Sequence, residues 1–353
     1  MKSTMLTVNN TNEPPQQPWP SGISIGTEFR EPIAFEFVVP DGNYELSMTL
    51  EEEFGDCRIE VAPRRLLFIG DRKTGGALKT LHKTVNVRDG HLLVACYGDG
   101  KFNSPEIKLV ADATTVFLAG DSTVSDQVNL PWTCWGQMLP SFFRAGIAIS
   151  NHARGGKAAR SFIWEKWLDR ILSVMRPGDY LLFQFGHNDQ KAGAAFVEPF
   201  TTYKEALRAF ISSVRQKNGI PVVVTPVHRA FFDVHGRLEN TLGEYPAAAR
   251  ELAEQEGVEC VDLSARSEEW LNILGPEKAK LAFVTAPPGR WPKYPNGIKS
   301  KSHNTAYGAY ELAKCIVNEI KCKQLSLAKF LEDQDSTLNF EPRVIGPWEA
   351  LIR

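Results

Sequence analysis

Apolar and polar positions alternate with a period of two, in short runs, over residues 22–112. The runs "IAFEFVVP", "NYELSMTL", "CRIEVA", "RLLFIG", "LKTLHKTVNV", "HLLVACYG" and "EIKLVAD" are separated by turn signals such as "DGN", "GDRKTGG", "RDG" and "GDGKFNSP". A strand with one face on a core and the other in water reads this way, and Asp-Gly turns at regular spacing fold such strands back on one another. The pattern predicts an antiparallel β-sandwich with Phe35, Phe37, Tyr44, Leu46 and Met48 facing inward.

After residue 112 the rhythm changes. "VFLAG", "AIS", "DYLLFQFG", "PVVVTPV" and "ECVDL" are apolar throughout, and helix-period segments follow them: "CWGQMLPSFF", "SFIWEKWLDRIL", "TYKEALRAFISSVRQKNG", "YPAAARELAEQEG" and "SARSEEWLNIL". Strands apolar on both sides must be covered on both sides, so this half is predicted to be an α/β domain with a parallel sheet between two helical layers. "NTAYGAYELAKCIVNEIKCKQ" would be the closing helix, opened by His303. The expected organisation is a flexible, polar N-terminal segment over 1–21, a sandwich over 22–112, an α/β domain over 113–325 and an extended tail over 326–353 that lies back on the body.

Composition excludes some functions. Lys and Arg number 40 against 42 Asp and Glu, so no basic excess suits a nucleic-acid partner. The start of the chain lacks the apolar core of a secretory signal, and no run approaches the ~20 apolar residues of a membrane span. A soluble, cytoplasmic protein without a membrane partner is expected. The six cysteines are scattered and read as core thiols, with a Cys57–Cys96 bridge left open. His187, His228 and His235 lack ligand spacing with carboxylates or thiols, so neither a metal nor another cofactor is expected.

In parallel sheets, ligands bind where the strands end at their carboxyl side, and the residues there are "GDST", "NHARGG", "GHND" and "TPVHR". Ser122, at a strand-to-helix turn, can expose its Oγ and aim its own N–H at a substrate oxygen. Gly156 offers an N–H that a ligand can approach, and Asn188 offers a side-chain amide. With His303 as base, these four suffice for acyl transfer. Trp164, Arg160, Arg229 and Trp291 are candidates for lining a groove that takes an acidic sugar chain.

Together the blocks resemble those of the SGNH (GDSL-type) hydrolase superfamily, and most of all those of the rhamnogalacturonan acetylesterase group. "GDST", "NHARGGKAARS", "GHND", "TPVHR" and "YPAAARELA" carry the likeness over roughly residues 115–322. The resemblance implies a three-layer α/β/α, flavodoxin-like domain, here preceded by a β-domain. It implies Ser122 as nucleophile, His303 as base and an oxyanion hole built from Ser122 N–H, Gly156 N–H and the Asn188 amide. The implied substrate is an acetylated pectic oligosaccharide; a pectin methylesterase, a short-chain carboxylesterase and an impaired carbohydrate-binding homologue are the alternatives. A homo-oligomer is left open.

In that family the base lies in an Asp-x-x-His block, but the position matching the aspartate is Ser300. A triad aspartate fixes the imidazole tautomer and stabilises the imidazolium, and losing it can cost as much as ~10⁴ in rate. Three accounts follow: Ser300 Oγ or a backbone carbonyl orients His303, a carboxylate such as Asp126 or Glu165 fills the gap, or hydrolysis is lost and glycan binding kept.

Overall fold

The computed structural model describes residues 32–50, 57–70, 79–98, 101–291, 293–334 and 336–338. The N-terminal segment 1–21 and the tail beyond 338 lie outside the described residues. The alternating runs form β1 (Ile33–Val38), β2 (Gly42–Leu50), β3 (Cys57–Val61), β4 (Arg65–Gly70), β5 (Lys79–Val87), β6 (His91–Gly98) and β7 (Glu106–Leu109). They pair antiparallel into a four-stranded sheet, β1-β6-β3-β4, and a three-stranded sheet, β5-β2-β7. Phe35, Phe37, Tyr44, Leu46 and Met48 are all buried in the core that the two sheets share. Cys57 and Cys96 lie in that core unbridged.

The second half is a five-stranded parallel sheet of β8 (Thr114–Gly120), β9 (Ile147–Asn151), β10 (Tyr180–Gln184), β11 (Ile220–Val224) and β12 (Glu259–Val261), in the order β12-β11-β10-β8-β9. Its strands are apolar on both faces because both are covered. Val116, Leu118, Leu182, Val222 and Val224 pack beneath α1 (Trp135–Met138), α6 (Leu263–Ala282) and α7 (Ala306–Cys322). The intervening Phe117, Ala119, Leu181, Phe183 and Val223 pack against α2 (Ala159–Trp164), α3 (Trp167–Val174), α4 (Lys204–Gln216) and α5 (Tyr245–Glu256). The result is the three-layer α/β/α fold. The first strand of this sheet, β8, stands between the second and third, so the loops leaving β8 and β10 diverge at their carboxyl ends and open a crevice there.

Three local features differ from the sequence reading. The segment "SFIWEKWLDRIL" is two helices, broken where Lys166 takes a left-handed φ of 64°. The helix read over "SARSEEWLNIL" breaks at Gly275 but does not end there: helical residues continue from Pro276 to Ala282 as the second half of α6. An unforeseen hairpin, β13 (Phe283–Ala286) with β14 (Ile298–Asn304), precedes the last helix. Its second strand, "IKSKSHN", is polar along almost its whole length, so no hydrophobic period announces it. Past α7, Ser326–Phe330 forms a short 3-10 helix and Leu331 bridges to Phe143.

The two halves are joined by polar contacts that are themselves buried. Lys83 of β5 is almost wholly inaccessible, and its Nζ donates to Ser141 O at 2.9 Å, Phe143 O at 2.7 Å and Glu332 Oε1 at 2.5 Å. Arg65 of β4 makes two hydrogen bonds to Asp126 Oδ2, at 2.9 and 2.8 Å. Replacing Lys83 by Met would leave those carbonyls and the Glu332 carboxylate facing an apolar tip, and removing one partner of a buried charge pair typically costs ~3–5 kcal/mol. Lys83→Met should therefore lower the urea midpoint by a corresponding amount at unchanged m; a midpoint equal to wild type would show that this joint does not contribute to stability.

Candidate active site

Ser122 stands at the end of β8 on a turn closed by packing and by a chain of buried hydrogen bonds. A Cβ on Gly120 would meet Val124 Cγ2 at 2.5 Å and Gln184 O at 2.8 Å, so only glycine lets the strand turn here. Asp121 Oδ1 accepts from the Thr123 N–H and the Thr123 hydroxyl, both at 2.8 Å. Thr123 Oγ1 in turn accepts from Gln184 Nε2 at 2.5 Å, and Gln184 Oε1 from Trp135 Nε1 at 3.1 Å. The Ser122 carbonyl accepts from the Cys134 thiol at 2.7 Å; burial pushes that thiol far up, which keeps it protonated and able to donate. The nucleophile candidate is thus fixed through its backbone.

His303 reaches Ser122 from β14, not from the start of α7: the helix is capped by Thr305, whose side chain accepts from Gly308 N. Its Nε2 lies 2.9 Å from Ser122 Oγ, and its Nδ1 lies 3.2 Å from Ser300 Oγ. Ser300 Oγ also accepts the backbone N–H of His303 at 3.0 Å and that of Ser302 at 3.3 Å. Burial lowers the His303 pKa, with Lys191 and Arg229 adding to the effect and Asp121 opposing it. The second oxygen of Asp121 is buried with no hydrogen-bond partner, and an unpaired buried oxygen of this kind keeps a negative field in the site.

The candidate donors lie on neighbouring loops, a Cβ on Gly155 lying 3.7 Å from Ser122 Cβ. Gly156 adopts a left-handed φ of 78° with open space where a Cβ would sit, so it is the backbone angle, not crowding, that calls for glycine. Neither Ser122 N–H nor Gly156 N–H donates to another described residue. The Asn188 amide is oriented from both ends: Nδ2 donates to Lys157 O at 3.1 Å, and Oδ1 accepts from Lys191 Nζ at 2.7 Å. Asp189 ties the two loops together by accepting from Ala159 N at 2.8 Å and Gly186 N at 2.7 Å; burial pushes its carboxyl up to about 7 against the pull of those amides.

A second group of contacts, invisible in the sequence, comes from the sandwich. Arg64, buried in the turn between β3 and β4, donates to Trp132 O at 2.8 Å, Gln127 O at 3.2 Å and Thr133 Oγ1 at 3.1 Å. The loop it holds sets the Trp132 indole edge-to-face with His303, ring centroids 5.5 Å apart, while Trp132 Nε1 donates to Tyr294 OH at 2.7 Å. Thr133 N–H also donates to Asn304 O at 3.0 Å, so this loop and the histidine strand are stitched together.

Of the other sequence candidates, Asp126 is occupied by Arg65 and by Asn151 Nδ2 at 2.9 Å, and Glu165 by Lys157 and Trp167; neither bonds to His303. Trp291 is buried and, with Leu130, Pro131, Pro287 and Arg290, lines a small pocket. Arg229 braces two loops through Thr241 O and His187 O. Trp164 is 45% exposed, with the Arg160 guanidinium over its ring. Buried His187 lies 2.7 Å from Val227 O and is held at about 4, chiefly by burial. Among the described residues no group of three or more His, Cys, Asp or Glu is placed to hold a metal, and no helix is long and apolar enough to cross a membrane.

A serine hydroxyl against a half-buried imidazole, at the carboxyl ends of a flavodoxin-like sheet, defines a class of hydrolase fold. The chain belongs to the GDSL-like lipase/acylhydrolase family, whose model matches residues 118–297, and it is a carboxylic ester hydrolase. It is 41% identical over 222 residues to a rhamnogalacturonan acetylesterase of Bacillus subtilis (strain 168), covering 62% of this chain and 95% of that one. A probable rhamnogalacturonan acetylesterase of the same organism is 35% identical over 214 residues, covering 59% and 93%. An X-ray structure of a further Bacillus subtilis protein superposes with a TM-score of 0.55 at 27% identity, over 83% of this chain and 81% of that one. That share is more than residues 113–353 could supply, so the likeness extends into the N-terminal sheets. The tight turn at Gly120 gives a direct check: Gly120→Ala should destabilise the fold by about 1–3 kcal/mol through overpacking, read as a lowered thermal midpoint, and an unchanged midpoint would mean that the turn can relax freely.

Proposed function

We propose that this chain removes acetyl groups from acetylated plant polysaccharide, of the rhamnogalacturonan or pectic kind, through an acyl-enzyme on Ser122. The observation that carries the reading is the Ser122 Oγ to His303 Nε2 separation of 2.9 Å beside the unpaired N–H groups of Ser122 and Gly156. The likeness to the two Bacillus subtilis rhamnogalacturonan acetylesterases, one of them a probable one, supports the choice of substrate.

In this mechanism Ser122 Oγ attacks the acetyl carbonyl carbon as its proton passes to His303 Nε2. The tetrahedral oxygen takes hydrogen bonds from Ser122 N–H, Gly156 N–H and the Asn188 amide, each worth ~2.7–4 kcal/mol of transition-state stabilisation. The C–O bond to the sugar breaks, His303 returns its proton to the leaving oxygen, and acetate stays esterified to Ser122. Water, deprotonated by His303, then releases acetate.

Ser300 takes the place of the acid in the triad, and its chemistry differs from a carboxylate's. A carboxylate only accepts, so it fixes the Nδ1–H tautomer with Nε2 free to take the serine proton. A hydroxyl both accepts and donates. When Ser300 Oγ accepts from Nδ1–H, the imidazole is productive; when it donates to Nδ1, the proton sits on Nε2 and the base is blocked. Two backbone N–H groups already point at Ser300 Oγ, and they compete with Nδ1–H for its lone pairs. Ser300 therefore orients the ring, selects the tautomer weakly and gives the imidazolium little charge stabilisation.

Acetate release from acetylated pectic oligosaccharides tests the reading. Wild type should release acetate, and Ser122→Ala should fall by at least about a thousandfold. Equal rates would discard the esterase, and methanol in place of acetate would favour a methylesterase. The low pKa of His303 keeps the imidazole neutral, so the acid limb of the kcat/KM profile should lie below the ordinary histidine value of about 6.5. Ser300→Asp adds a carboxylate that favours the imidazolium, so it should raise kcat and move that limb to higher pH. A Ser300→Asp enzyme with a lower rate and an unmoved limb would show that residue 300 does not govern this imidazole.

A further inference from the structure

The residues that follow the candidate oxyanion glycine carry an unusual set of cations. Between Arg154 and Arg170 lie five basic residues and two acidic ones, on a chain whose net charge is −2. The acids are engaged by the lysines: Glu165 pairs with Lys157 at 2.7 Å and Asp169 with Lys166 at 3.2 Å. The arginines are left over. Arg154 and Arg170 place their guanidinium carbons 4.2 and 4.0 Å from the centroid of the Trp167 ring, and Arg160 stands 5.3 Å from that of Trp164. All three are exposed, and none makes an ion pair with a described carboxylate.

Several other exposed arginines are neutralised, Arg237 by Asp233, Arg250 by Asp262 and Arg215 by Glu256, while exposed Arg144 bonds to the Lys329 carbonyl. Stacking on an aromatic face fixes a guanidinium in position and leaves its N–H edges in water, ready for a planar carboxylate. The strip also begins at the active site. Arg154 N–H donates to Gly120 O at 2.9 Å, and a Cβ on the next residue, Gly155, would lie 3.7 Å from Ser122 Cβ. Trp164, with 45% of its surface exposed, offers an apolar ring to the C–H face of a sugar.

We infer that Arg154, Arg160 and Arg170, held on Trp167 and Trp164, form a subsite for the carboxylates of an acidic, uronate-bearing glycan whose acetyl ester lies at Ser122. The inference rests on the acetylesterase reading and adds to it a charge preference with a location. A neutral acetylated glycan gains nothing from this strip.

The test compares kcat/KM for acetylated oligogalacturonides with kcat/KM for the same oligosaccharides after methyl esterification of their carboxylates. Wild type should prefer the acid form, and the preference should shrink with added salt, because exposed charge pairs are screened. Arg154→Gln/Arg170→Gln should lower the acid-to-neutral ratio about tenfold, or about 1.4 kcal/mol, mainly through KM, and Arg170→Glu should lower it further. A ratio that these substitutions leave unchanged overturns the subsite, as does an equal loss on both substrates, which marks a packing role. If wild type releases no acetate from either substrate, the esterase reading fails by itself. Calorimetric binding of unacetylated oligogalacturonides then decides the subsite: weaker binding by the double variant upholds it and equal binding overturns it.

Discussion

The contact between Ser122 Oγ and His303 Nε2 spans 181 residues of sequence, and most of the structure around it serves to hold it. One partner ends the first strand of the parallel sheet; the other ends a polar hairpin that contributes little to any core. The hairpin is held from outside, through the Thr133–Asn304 backbone bond and through Trp132. Trp132 in turn is held by Arg64 of the sandwich and by Tyr294. The N-terminal sheets are therefore tied mechanically to the imidazole, and Lys83 and Arg65 fasten the same joint elsewhere.

The absence of an aspartate at position 300 gives this support more weight. Where a carboxylate faces Nδ1, one strong hydrogen bond fixes ring and tautomer together. Here the ring faces a hydroxyl that its own backbone N–H also approaches, and its orientation depends on packing against the indole. The electrostatic environment is divided. Burial, Lys191 and Arg229 disfavour the imidazolium, while Asp121, with one buried oxygen unpaired, favours it. The same Lys191 steadies the Asn188 amide, so one cation orients a proposed oxyanion donor while it disfavours the His303 imidazolium.

Much of this was legible in the sequence. Strand runs apolar on both faces announced a sheet covered by helices, and period-two runs announced the sandwich, because burial imposes those periods directly. Ser122, Gly156 and Asn188 could be named as candidates because they follow strand ends in recognisable blocks, and His303 because it precedes the closing helix. The polar hairpin bearing His303 could not be read, since a strand without a buried face leaves no hydrophobic period. Arg64, Trp132, Lys191 and Gln184 were equally hidden: each acts through a contact with a residue distant in the chain or through a loop whose path only the fold defines. Trp291, a groove candidate by its residue type, proved buried, because an aromatic residue in a loop gives no sign of which way it turns.

The central claim is that Ser122 becomes acylated with His303 as its base. Rapid quenching during turnover of an activated acetyl ester, followed by mass spectrometry of the digested protein, tests it most directly. The account predicts one acetyl group on the peptide carrying Ser122, forming within the first turnover and disappearing as acetate is released. Steady acetate release with no acetyl on that peptide, or with the acetyl on another residue, would contradict it.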